Sequence, residues 1–282
     1  MPAIGSVTAG DPHCGAVRGA QAVPDMGDPA RFNVLGTGVS ALSLAAACAR
    51  VVAIQGRKHA GYVCCATAYN VNLARSDETL RHAYNRSFLT TPDGMPLVWL
   101  GRAHGHREIT RVYGPDLMLA VCDAGRASGL THYFYGGKAG VAEQLREKLT
   151  ARFPSLQVVG TFTPPYRDLT AAELAGLQAD IATKNPDVVW VGLSTPKQEK
   201  FMSTHGALLD TGLLIGVGAA FDFLSGRVPQ APRWMQRSGL EWLFRLGTEP
   251  RRLWRRYLLH NPMFVIRTIA QLTGLRKYSE DR

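Results

Sequence analysis

The chain has 282 residues, 46% of them apolar and 19% charged, with a net charge of +10. That composition excludes a disordered, collagenous or disulfide-scaffold protein and fits one α/β domain with an appendage. The charge is uneven: residues 227–282 hold twelve Lys and Arg against four Asp and Glu, so a nearly neutral body carries a basic tail that calls for an anionic partner.

Residues 1–30 are rich in Gly, Ala, Pro and Asp and lack a basic segment leading into an apolar one, which predicts a tail rather than a signal peptide. From 31 to 226, short apolar runs alternate with helical spacing. Residues 32–36, 62–68, 132–136, 156–161, 187–193 and 214–219 have strand length and are rich in Val, Ile and aromatics. Between 138 and 152, Val141, Ala142, Leu145 and Leu149 share one helical face. Apolar strands alternating with helices predict a Rossmann-like α/β fold: a mostly parallel sheet flanked by helices, with ligands at the carboxyl ends of the strands. Residues 227–282 form a basic helical C-terminal appendage. No apolar run approaches the roughly 20 residues that span a bilayer; the longest, 213–224, carries Asp222. The cysteines (Cys14, Cys48, Cys64, Cys65 and Cys122) are odd in number and form no CxxC pair, as expected of reduced thiols in a cytosolic protein.

Gly36-Thr37-Gly38-Val39-Ser40-Ala41 has the look of a dinucleotide fingerprint, but residues 51–62 hold no Asp or Glu for a ribose. Ordinary strand-to-helix turn glycines are the expectation. There is no Asp-x-Asp, HExxH, P-loop or Gly-x-Ser-x-Gly, so neither a metal site nor a cofactor is expected. Four strand ends carry polar groups suited to a phosphorylated ligand. Asp93, between Pro92 and Gly94, is either a turn residue or a carboxylate able to take a proton from a hydroxyl. Gly136 and Gly137 lead into a helix whose free N–H groups suit a phosphate. Pro196, Lys197 and Gln198 open another helix, and Asp222 closes the last strand region.

TPDGMPLVW, RVYGPDLM, YFYGG, GTFTPPYR, PDVVWVGLSTPKQEKFM, GVGAAFDFLSGRVPQAPRWMQRSGLEWLFRL and EPRRLWRRY, in this order, resemble the WecG/TagA/CpsF family of bacterial glycosyltransferases over about residues 32–260. The resemblance implies an inverting, metal-independent transfer from a UDP-sugar to a polyprenyl-diphosphate-linked saccharide in cell-surface polysaccharide synthesis. It places Asp93 as general base, with Gln198 and Asp222 on the nucleotide side. The family's threonine falls in Cys64-Cys65-Ala66-Thr67-Ala68-Tyr69-Asn70, where Thr67 or Cys65 fills it and Asn70 lies close by. It also implies a peripheral enzyme at the inner face of the cytoplasmic membrane, since family members use the appendage to reach the membrane and to close over the active site.

In 251–258, Leu253, Trp254, Tyr257 and Leu258 fall at i, i+1, i+4 and i+5, with Arg251, Arg252, Arg255 and Arg256 on the other arc. Such a helix either lies in the lipid interface or docks on the body by its apolar stripe. With Arg227, Arg233 and Arg237, these arginines are candidates for diphosphate or membrane contact. The rival reading is a nucleic-acid-binding arm. Arg interleaved with Trp, Leu, Phe and Tyr at helical spacing favours lipid.

Overall fold

The structure, a computed structural model, describes residues 26–280; residues 1–25 of the expected tail, with Cys14, lie outside them. The first elements are an antiparallel hairpin of β1 (Arg31–Val34) and β2 (Thr37–Ser40). The glycines read as a strand-to-helix turn therefore belong to a hairpin, and the helix waits until Leu44. Leu35 and Gly36 take φ of 54° and 88°, the pair of positive values a tight two-residue hairpin turn requires. The turn is held from both sides: Gly36 N–H donates to Asn33 Oδ1 at 2.8 Å and Leu35 N–H to Gln271 Oε1 at 2.8 Å.

Then follow α1 (Leu44–Val52), β3 (Gly61–Ala66), α2 (Ala68–Ala74), α3 (Glu78–Asn85), β4 (Leu89–Pro92), α4 (Met95–Ala103), α5 (Gly114–Ala124), β5 (Thr131–Gly136), α6 (Val141–Arg152) and β6 (Gln157–Phe162). The body closes with α7 (Ala171–Lys184), β7 (Val188–Gly192), α8 (Lys197–His205), β8 (Leu213–Gly216) and the short α9 (Ala220–Leu224). Strands β3 to β8 make one parallel sheet in the order β4-β3-β8-β7-β5-β6. Helix starts follow local chemistry: Ser43, Thr67 and Asp77 cap α1, α2 and α3, and Thr170 with Glu173 forms a capping box on α7.

The sheet is covered on both faces, which explains why its strands read as apolar throughout. Along β7, Val188 and Trp190 enter one core while Val189 and Val191 enter the other. On α6 the buried residues are Val141, Ala142, Leu145 and Leu149, the face its spacing predicts. Cys48, Cys64, Cys65 and Cys122 are all buried, and no two of them are disulfide-bonded.

The tail comprises α10 (Arg233–Arg237), α11 (Glu241–Thr248), α12 (Pro250–Leu258) and α13 (His260–Leu272). It folds back onto the body. Phe264 and Tyr278 are buried in the second core, Asn33 Nδ2 donates to the Tyr278 carbonyl at 2.7 Å, and Arg267 to Asn72 Oδ1 at 2.6 Å.

Candidate active site

The carboxyl ends of β3, β4, β7 and β8 form the floor of a cleft, and α11 and α12 form its far wall. Two cavities meet there. The first, of about 360 Å³, is lined by Cys65, Thr67, Asn70, Gln198 and Asp222 from the body and by Arg245, Arg252 and Arg256 from the tail. The second, of about 610 Å³, is walled mainly by apolar and aromatic side chains, among them Met95, Trp99, Leu240, Trp242, Tyr257 and Phe264. Asp93, Thr67, Tyr69, Tyr113, Arg245 and Arg256 line both. Asp93 thus stands where a polar chamber opens into an apolar one.

Asp93 follows β4 directly, its N–H donating to the Ala66 carbonyl at 2.9 Å. Its carboxylate lies 3.6 Å from Arg111 Nη2, and Arg111 Nε donates to the Asp93 carbonyl. The same guanidinium meets Glu241 Oε2 at 2.5 Å, and Tyr113 Oη donates to Glu241 Oε1 at 2.9 Å. Burial pushes the Asp93 carboxyl up to about 7; Arg111 opposes the rise and Glu241 adds to it. A carboxylate with that pKa is matched to accepting a proton near neutral pH.

The tail arginines supply positive charge. Arg256 stacks 4.3 Å over the Tyr69 ring, and burial lowers its pKa. The Nε atoms of Arg245 and Arg256 are buried without a hydrogen-bond partner. Buried donors of this kind cost free energy unless an acceptor arrives, and an anion is the acceptor that suits a guanidinium. Arg252 lines the same chamber while paired with Glu249 at 2.5 Å.

Thr67 caps α2, and its hydroxyl donates to Asn70 Oδ1 at 2.9 Å; Cys65, two residues earlier in β3, is 4% exposed. Gln198 is buried on the cavity wall. Lys197 points away, its ammonium 4.6 Å over the exposed Tyr166 ring. Gly136 and Gly137 line neither cavity. The Gly137 N–H is spent on the Gly192 carbonyl at 3.0 Å, and a Cβ on Gly136 would fall 2.7 Å from the Gly192 backbone. Gly136 thus serves close strand packing, a Cβ on Gly137 would fall 2.9 Å from Val141 Cβ, and the Gly137 amide expected to be free is already bonded.

The arginine arc of α12 divides. Leu253 and Tyr257 are buried, Arg252 and Arg256 face the cleft, and Arg251 and Arg255 are exposed on the outer side. Arg233 is occupied by Asp116 at 2.9 Å, and Arg227 and Arg237 lie exposed, lining neither cavity. Among the described residues no three His, Cys, Asp or Glu converge as metal ligands, and no helix is long and apolar enough to cross a membrane.

Residues 32–278 match the glycosyl transferase WecG/TagA/CpsF family. The chain belongs to that family. It is similar to two N-acetylglucosaminyldiphosphoundecaprenol N-acetyl-beta-D-mannosaminyltransferases, one from Bacillus subtilis (strain 168), 33% identical over 167 residues, and one from Bacillus spizizenii (strain ATCC 23059 / NRRL B-14472 / W23), 32% identical over 167 residues. Each alignment covers 59% of this chain and 63% of the relative.

Three cleft residues of this WecG/TagA/CpsF chain escaped the sequence reading: Arg111, Glu241 and Arg245. Their signal was present, since Arg111 opens RVYGPDLM, and Glu241 and Arg245 sit one helical turn apart in GLEWLFRL. Nothing in the sequence alone joined Arg111 to a residue 130 positions later.

Proposed function

We propose that this glycosyl transferase moves a sugar from a UDP-sugar to the hydroxyl of a polyprenyl-diphosphate-linked saccharide, inverting the anomeric centre. The observation that carries the reading is the position of Asp93 on the wall shared by an arginine-lined chamber and an apolar one. The polar chamber suits the nucleotide diphosphate, and the apolar one the lipid-linked acceptor. The acceptor oxygen attacks the anomeric carbon, the bond from that carbon to the diphosphate oxygen breaks, and the acceptor proton passes to the Asp93 carboxylate. The charge growing on the leaving UDP is met by Arg245, Arg252 and Arg256. Three guanidiniums supply what a divalent cation often supplies, so turnover should persist in EDTA; loss restored by Mg²⁺ or Mn²⁺ would reject this part.

The names of the relatives support an acceptor of the diphosphoundecaprenol class and a donor carrying N-acetylmannosamine. The test is UDP release from a panel of UDP-sugars with a GlcNAc-diphospho-lipid acceptor. UDP-N-acetylmannosamine is the expected donor, and no release with any of the panel would overturn the reading.

Peripheral attachment to the inner face of the membrane belongs to the same reading. On α13 and just beyond it, Ile266, Ile269, Leu272 and Leu275 are 68%, 54%, 54% and 83% exposed, an apolar stripe in the same tail that carries Arg251, Arg255, Arg276 and Lys277. Such a face suits an anionic lipid interface. The nucleic-acid reading gains no support: three tail arginines turn inward to the cleft, and an apolar stripe is not what a phosphate backbone selects.

A further inference from the structure

Beneath the polar chamber lies a hydrogen-bond network that ends on one buried carboxyl. Glu199, in the first turn of α8, is fully buried. Its Oε1 accepts from Thr195 Oγ1 at 2.9 Å, Gln198 Nε2 at 3.0 Å and Tyr84 Oη at 3.2 Å. Thr195 Oγ1 in turn accepts from Asn70 Nδ2 at 3.2 Å, and Asn70 Oδ1 accepts from the Thr67 hydroxyl at 2.9 Å. Every link donates towards Glu199.

That sense has a consequence at the cavity wall. Burial raises the pKa of the Glu199 carboxyl, and its other oxygen, Oε2, is buried without a partner. Oε1 accepts from its three donors in either protonation state, so Gln198 gives it the Nε2 side of its amide. The other end, Gln198 Oε1, is buried and without a partner, and lies beside Gly218 on the chamber wall. Likewise the Thr67 hydroxyl, which donates to Asn70 Oδ1 and accepts the Asn70 N–H, keeps only one lone pair for the chamber. A buried carbonyl left unpaired costs free energy that a ligand donor would recover.

We propose that Glu199 is a positioning residue that fixes the donor–acceptor sense of this wall, so that Gln198 meets the bound nucleotide sugar as a hydrogen-bond acceptor and the ligand brings an N–H or O–H to it. The proposal rests on the UDP-sugar reading above. Two groups of such a ligand have the right chemistry: the imide N–H of the uracil and a hydroxyl of the hexose.

Calorimetric titration of UDP, N3-methyl-UDP and UDP-N-acetylmannosamine into the wild-type chain, Gln198→Met, Glu199→Met and Glu199→Gln tests it. Both Met variants should weaken the recognised nucleotide about tenfold, the order expected when one well-formed buried hydrogen bond is lost. In the transfer assay the donor KM should rise with kcat within about twofold, because the interaction is made equally in ground and transition states. Glu199→Gln keeps a carbonyl for the three donors and should retain affinity within about twofold. If the wild type discriminates against N3-methyl-UDP and Gln198→Met does not, the uracil imide is the donor. If UDP and N3-methyl-UDP bind alike throughout and only UDP-N-acetylmannosamine weakens, it is a hexose hydroxyl. A folded Glu199→Met with wild-type affinity for all three overturns the proposal. If that variant does not fold, unchanged affinities in Gln198→Met overturn it equally. Should the wild type bind a different nucleoside diphosphate and no uridine nucleotide, the donor reading falls; the same comparison on that nucleotide then supports or rejects the role of Glu199.

Discussion

Asp93 sits in a balance of opposing effects. Burial raises its carboxyl to about 7, Arg111 at 3.6 Å pulls it down, and Glu241 beyond Arg111 pushes it up again. As the base of the proposed function, Asp93 must be ionised to act, so kcat/KM should climb with pH to a plateau with an inflection near 7. Asp93→Asn should remove that limb and cut kcat by roughly 10²–10⁴-fold, with UDP affinity within about twofold of wild type. The same shift bears on stability. Between about pH 4 and 7 the native chain holds a proton on Asp93 that the unfolded chain has released, so this group's contribution falls as pH rises through the window. The stability of Asp93→Asn relative to wild type should therefore increase from pH 4 to pH 8 in denaturant titrations; a constant difference would mean that the carboxyl is not raised. Glu241→Gln removes a charge that raises Asp93 and frees Arg111 to serve it. Its pH–rate inflection should move below that of the wild type, and a move upward would contradict the geometry.

At the level of single elements, α12 divides its four arginines between two surroundings. Its inner side turns Arg252 and Arg256 to the cleft and its outer side leaves Arg251 and Arg255 in solvent. On the proposed function, Arg256→Ala should lower turnover on a short-chain, water-soluble acceptor by tenfold or more, since a guanidinium facing the leaving diphosphate is lost. Arg251→Glu with Arg255→Glu should leave that turnover within about twofold while weakening binding to anionic vesicles. Equal losses in both variants would show that helix integrity, rather than inward charge, is being measured. The β5 and β7 ends carry a different lesson. YFYGG has the composition of a phosphate loop, yet Gly136 packs on Gly192, and a Cβ on Gly192 would fall 2.5 Å from the Phe221 ring. Composition alone does not distinguish a glycine that admits a ligand from one that admits a neighbouring strand.

The whole molecule is a parallel sheet whose carboxyl-end cleft is closed by its own C-terminal segment. That segment is tied at both ends, at Arg111–Glu241 on the cleft side and at Asn33–Tyr278 by the hairpin. Its α13 still leaves an apolar stripe in solvent. Ile266→Glu with Ile269→Glu should abolish flotation with anionic vesicles and shift Tm by no more than a few degrees, because both side chains are already exposed. Flotation by the wild type should also weaken as salt is raised. Vesicle binding that survives both changes would remove α13 from the membrane reading.

The sequence by itself determined the alternation of strands and helices, because a sheet buried on both faces demands apolar runs, and it marked Asp93, Gln198 and Asp222 because strand ends are where polar residues interrupt such runs. It also determined that the tail is basic and amphipathic. Tertiary structure alone decided which of the tail's arginines serve the cleft and which face outward, because helical spacing gives relative angles but no absolute orientation against a body. It decided too that Gly36 closes a hairpin: the turn depends on Leu35 holding positive φ, and Gln271, 236 residues away, accepts its N–H. The pairing of Arg111 with Glu241 was equally beyond reach, since a charge pair depends on distance in space and neighbouring residues carry no record of it.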